Sequence, residues 1–134
     1  MLLSAGRRRF LKILSLLTGG AFLTSTSQAM TTEKTFIHHV YFWLQRPGDA
    51  GDLQKLIEGL KRLSRVSTIQ SFHIGRPADT NRDVIDRSYA VSWCTFFRSP
   101  EDQEAYQTDP IHKRFVEECA SLWSKVVVYD SIDI

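Results

Sequence analysis

Along "KTFIHHVYFWL", residues 34–44, large apolar and aromatic side chains occupy positions of both parities. In an extended chain Phe36, Val40, Phe42 and Leu44 share one face with His38, and Ile37, Tyr41 and Trp43 share the other with His39. The run predicts a first strand, ended by the turn signal Gln45-Arg46-Pro47-Gly48. The period then changes. Leu53, Leu56, Ile57, Leu60 and Leu63 recur at helical spacing, which predicts an amphipathic helix from Asp49 to Arg65. "TIQSFHIG" (68–75) predicts a second strand, and the charged stretch "RPADTNRDVID" a loop. "RSYAVSWCTFF" (87–97) predicts a third strand, again with large residues on both faces. Ser99 as cap, Pro100 in the first turn and the acids Glu101 and Asp102 start a short helix reaching Thr108. Asp109 and Pro110 start another in the same way, and "KVVVYDSI" (125–132) predicts the last strand.

The order β-α-β-β-α-α-β predicts an α+β fold with its helices on one face of a sheet. Helices can cover only one face, yet strands one, three and four are apolar on both. An uncovered hydrophobic face is rare on a soluble protein. A second copy packed against it would bury it, so the expected assembly is a homodimer.

Charge changes the picture at the N-terminus. Of 17 basic residues, Arg7, Arg8, Arg9 and Lys12 lie in residues 1–29, which hold no acid. The remaining 105 residues carry 13 basic and 15 acidic side chains, so the overall charge of +2 hides an acidic body. That body has no electrostatic footprint for nucleic acid, and Trp43, Trp93 and Trp123 are expected in cores rather than on a base-stacking platform. Residues 1–29 combine a basic start, an apolar run from Ile13 to Leu23 and small residues at Ser27 and Ala29. They predict an export signal cleaved before Met30, too short in its apolar run to span a bilayer, so no stable membrane span is expected in the mature chain. "RRRFLK" resembles the twin-arginine motif, which implies export of a folded protein, with the periplasm as the expected destination. Cys94 and Cys119 show neither a disulfide framework nor metal-ligand spacing and are expected as small buried hydrophobes.

"HHVYFWL", "SFHIG", "YQTDPIHKRFVEEC" and "VVVYD", in that order and spacing, resemble the stress-responsive dimeric α/β-barrel (Dabb) family across nearly all of residues 35–131. The resemblance implies a ferredoxin-like four-stranded antiparallel sheet with helices on one face, joined to a second subunit in an α+β barrel. Most of the family has no assigned activity. A branch similar to plant polyketide cyclases closes rings without a metal. There a histidine at the start of the last helix is the base, and a tyrosine six residues earlier assists; His112 and Tyr106 match them, and His39 matches a first-strand histidine lining the pocket. Asp109 stands where the family often has histidine, and Val91 aligns with a histidine of the cyclase's third strand.

The residues themselves support part of this. Asp109 and Pro110 put His112 in a first helical turn, whose positive end favours neutral imidazole, the form a general base needs; the Asp109 carboxylate pulls the other way. The spacing His112, Val116, Cys119, Trp123 predicts one apolar helix side. His39 faces with Tyr41 and Trp43, which could wall an apolar pocket. His38 is expected at the dimer side or near the rim. The two histidines point to opposite faces and cannot chelate one ion together, and no metal or cofactor motif is present. Two functions remain: a binding protein for a small apolar or aromatic molecule, lined by Tyr41, Trp43, Val116 and Trp123, or a cofactor-independent cyclase-like lyase or monooxygenase-like enzyme. In the second, His112 is the base, supported by Tyr106 and His39.

Overall fold

The computed structural model describes residues 33–134; the export signal expected over 1–29 lies outside them. Strand β1 (Phe36–Leu44) runs between β3 (Val91–Phe97) and β4 (Trp123–Ile132), and β2 (Ser71–Gly75) flanks β3. The sheet order is β2-β3-β1-β4, with every neighbouring pair antiparallel. Helices α1 (Ala50–Leu63), α2 (Pro100–Thr108) and α3 (Pro110–Cys119) complete the α+β architecture. A 3-10 turn over Ala120–Leu122 leads from α3 into β4.

Strong local signals fix the helices. The Asp49 carboxylate caps α1 by accepting from the Asp52 N–H at 2.8 Å, and Arg46 grips Asp52 with a two-pronged contact of 2.8 and 2.6 Å. Ser99 caps α2 from the Asp102 N–H, as its sequence predicts. Asp109 ends α2 and begins α3. Preceding Pro110, it is held out of the helical region at φ −62°, ψ 136°, and its carboxylate accepts from the Ile111 N–H at 2.7 Å. That single extended residue turns the chain between the two helices.

The limits of β2 and β3 are narrower than their apolar runs, and those of β4 are wider. β2 starts at Ser71 rather than 68, because Ile69 donates back to Val66 in a turn and only Gln70 reaches Phe96 before the ladder begins. β3 starts at Val91 rather than 87. Asp86 accepts from the Ser88 N–H, Ser88 accepts from the Trp43 indole, and the Ala90 N–H donates to the Phe42 carbonyl, so this segment runs beside β1 without extending the ladder. β4 starts two residues early, at Trp123, opposite Leu44 across an irregularity in the register.

Under the helices lies the core: Val40, Phe42 and Leu44 from β1, Val91, Trp93 and Phe97 from β3, Leu56, Leu60 and Leu63 from α1, Tyr106 from α2, and Phe115 and Cys119 from α3. Cys119 is buried as expected, and Cys94 is half-buried; both are free thiols. The stripe predicted on α3 needs correction: Phe115 and Cys119 are its buried positions, whereas Val116 is 41% exposed. Among the described residues no helix is long and apolar enough to cross a membrane.

Candidate active site

The two β1 histidines separate as their parity requires, but the covered face is the one holding His38. His38 is buried with Val40, Phe42 and Leu44 beneath the helices, which corrects its expected place at the dimer side or rim. Its ring lies edge-on to Tyr106, with centroids 5.7 Å apart. His38 Nδ1 lies 2.7 Å from Asp130 Oδ1, its register partner on β4. A carboxylate only accepts, so Nδ1 carries the proton of that bond and Nε2 is the nitrogen not engaged by Asp130.

The turn at Asp109 brings His112 back over Tyr106, with ring centroids 4.6 Å apart. The spacing of six residues therefore works as a fold-back between two helices. Burial lowers the His112 pKa, a hydrogen bond to the Gln107 carbonyl raises it, the neighbouring His38 lowers it, and Asp109 raises it; the net direction is down. The opposing pull of Asp109 expected from sequence is present but is the smallest of these effects. His112 thus favours the neutral form.

Tyr106 is 1% exposed, and its hydroxyl accepts from the Trp93 indole N–H at 3.2 Å. Burial pushes the phenol well above its ordinary pKa, with the Trp93 bond opposing slightly. It stays protonated. Because the Trp93 bond uses an oxygen lone pair, the hydroxyl proton remains available for donation.

His39 belongs to a different set. It lies on the opposite face, 4.4 Å from the Tyr41 ring, and its Nδ1 is 3.2 Å from the Tyr41 hydroxyl. Tyr41 also packs edge-on to Tyr89 at 4.9 Å and Tyr129 at 6.0 Å, while Lys125 Nζ sits 4.4 Å over Trp43. Burial lowers the His39 pKa, and the nearby His73 and His38 lower it further. So the structure brings His112 and Tyr106 together and places His39, Tyr41 and Trp43 across the sheet from them. Trp123 packs against Phe115 at 5.8 Å and Phe42 at 5.1 Å. Val116 points to solvent.

Sequence reasoning missed His38 and Asp130 as site residues. A usable signal existed for His38: its face of β1 is otherwise free of polar side chains, while Tyr41 and Trp43 on the other face carry polar tips suited to water or a partner. For Asp130 there was none without the strand register. Among the described residues no three His, Cys, Asp or Glu side chains are grouped to hold a metal ion. Two grooves, of about 630 and 280 Å³, lie at the helices, and neither is lined by Tyr106, His112, His38 or His39.

A four-stranded antiparallel sheet with three helices over one face, and a histidine–tyrosine cluster between those layers, defines a ferredoxin-like α+β domain. The chain belongs to the stress-responsive A/B barrel domain family, which matches residues 37–133. Among solved structures it resembles a Dabb-family protein with a ferredoxin-like fold from Mesorhizobium loti, at 19% identity and TM-score 0.63, over 75% of this chain and 98% of that one. A dimeric ferredoxin-like protein of unknown function from Thermobifida fusca is similar at 14% identity and TM-score 0.60, over 73% and 90%. A hydroxynitrile lyase from Passiflora edulis is similar at 18% identity and TM-score 0.63, over 76% and 95%. Among curated proteins, none matches the sequence.

Proposed function

We propose that this chain carries out cofactor-independent acid–base chemistry, of the lyase type, on a small apolar or aromatic molecule that approaches the Tyr106 cluster from the side of the half-exposed His112. The observation supporting this most strongly is the convergence of His112 and His38, the latter fixed by Asp130, on one buried tyrosine. Neutral His112 accepts a proton from the substrate. The protonated Tyr106 hydroxyl donates to an oxygen that gains negative charge, as an oxyanion donor does. Asp130 holds the His38 ring so that Nε2 can exchange a proton. The similarity to a hydroxynitrile lyase makes such chemistry compatible with the fold. The test is a metabolite-library screen for binding and turnover on wild type, His112→Ala and Tyr106→Phe. Turnover that disappears in His112→Ala while binding persists supports the proposal; equal binding with no turnover in any of the three overturns the chemical step.

A second reading, ligand binding without chemistry, is favoured by the near-complete burial of Tyr106 and the engagement of its hydroxyl by Trp93. The same screen separates the two.

We also propose a homodimer formed through the open sheet face and export by the twin-arginine route. The dimer is supported by the uncovered cluster of Tyr41, Trp43 and the 66%-exposed Tyr129, and by similar proteins described as dimeric. Export is supported by "RRRFLK". Replacing Arg7 and Arg8 by lysine should leave the chain in the cytoplasmic fraction; unchanged export would overturn the twin-arginine route.

A further inference from the structure

Away from the Tyr106 cluster, the outer surfaces of α1 and α3 enclose the open groove of about 630 Å³. The helices touch where α1 presents Gly59. A Cβ there would lie 2.6 Å from the Cys119 sulfur and 3.2 Å from the Phe115 ring, so only glycine permits this approach. From that contact the groove extends past Leu63 and Phe115 toward Ile111, which is 37% exposed. Its floor is apolar and its size lies within the usual range for small-molecule sites.

The rim is cationic. Arg62, Arg65, Lys113 and Arg114 line it against Glu117 and Glu118. Glu118 is already taken up by Arg62 at 3.1 Å and Arg114 at 3.7 Å. Arg65 and Lys113, both exposed, pair with no carboxylate among the described residues. The groove lining thus has a net charge of +2 on a body, residues 30–134, whose 13 basic and 15 acidic residues give −2. The rest of that body is at −4. Such a field favours a compact anion at one place and repels an extended polyanion or an anionic membrane surface everywhere else.

We propose that this groove is a second ligand site, for a small amphipathic anion: an apolar body against Pro110, Ile111 and the edge of the Phe115 ring, and one carboxylate between Arg65 and Lys113. It is separate from the Tyr106 cluster and does not depend on the function proposed for it.

Decanoate, below its micellar concentration, is the probe. Titration of the full chain, with backbone amide shifts followed by NMR, should give saturable changes along Gly59–Arg65 and Pro110–Glu118. Decanol, acetate and decyltrimethylammonium test tail, head and charge sign in turn, and each should bind more weakly. The double substitution Arg65→Ser with Lys113→Ser, both on exposed side chains, should weaken decanoate binding by roughly tenfold, the size expected when two charge-assisted contacts are lost at a partly exposed site. Equal binding of decanol, undiminished binding in the double variant, shifts centred on His38, Trp93 and Tyr106, or no binding at all would each overturn the proposal. Tighter binding of an acidic peptide than of decanoate would overturn it in favour of a protein partner.

Discussion

His38 and His39 are adjacent in the chain and have opposite surroundings. His38 lies under the helices at 5% exposure, bonded to Asp130 and facing Tyr106. His39 lies on the open face in an aromatic cluster with Tyr41. The same division holds across the sheet. On one face aliphatic and aromatic groups pack to near-zero exposure around a few hydrogen-bonded polar groups. On the other, tyrosines, a tryptophan and histidines remain partly wet. The covered face determines whether the subunit folds and holds the candidate chemistry; the open face has the composition of an interface core, rich in aromatics and poor in paired charge.

The largest effect that should separate the faces is a truncation in each. Trp93 is 1% exposed and its indole donates to Tyr106, so Trp93→Ala should cost about 3–5 kcal/mol of subunit stability, measured by denaturant unfolding. Tyr129→Ala should change subunit stability by no more than about 0.5 kcal/mol, as exposed sites usually do. It should instead raise the dimer dissociation constant in sedimentation equilibrium. A Tyr129→Ala protein with unaltered self-association would remove the open face as the interface.

How much of this division was legible beforehand follows from period and register. The alternation in β1 placed His38 and His39 on opposite faces, because two-residue periodicity is a local property. Which face the helices cover is not local. It depends on the α1 stripe of Leu56, Leu60 and Leu63 meeting β3 and β1, which leaves His39 on the face opposite Tyr106 and His112. The capping residues Ser99 and Asp109 were readable because each acts within three positions. The approach of His112 to Tyr106 was indicated only by family resemblance. Its physical cause, the extended residue before Pro110, is local, but the resulting angle between α2 and α3 is not. Asp130 was invisible because it meets His38 only through the β1–β4 register, 92 residues away in sequence. Strands β2 and β3 came out shorter than their apolar runs, since apolar character marks burial and Ile69 and Tyr89 gain theirs outside the ladder.

Next in size is Tyr106→Phe. It keeps the ring that packs against Phe97 and His112 and removes the acceptor of the Trp93 indole. A buried donor left without a partner should cost about 1–2 kcal/mol. The matching open-face change, Tyr41→Phe, removes a hydroxyl lying near His39 where water can replace it, and should cost less than about 0.5 kcal/mol. Thermal unfolding of the two variants side by side checks this. Equal losses would mean that water does not reach the Tyr41 hydroxyl and that the faces differ less than their exposure suggests.

The smallest effect, pH dependence, makes the sharpest distinction. Burial lowers the folded-state pKa of both His112 and His39 below the unfolded value of about 6.5. Each ring therefore binds a proton more readily in the unfolded chain. Stability linked to either group is complete above about pH 6.5 and is lost as the pH falls toward its lowered folded pKa. His112→Gln should flatten this acid-side decline at every protein concentration, because α3 and the sheet bury His112 within one subunit. His39→Gln should flatten it less in dilute protein than at high concentration, because a partner on the open face adds burial to a ring that is only half-covered in the single chain. Denaturant midpoints between pH 5 and 7.5 at two protein concentrations give both slopes. If the His39 contribution does not depend on concentration, the second copy does not cover that face.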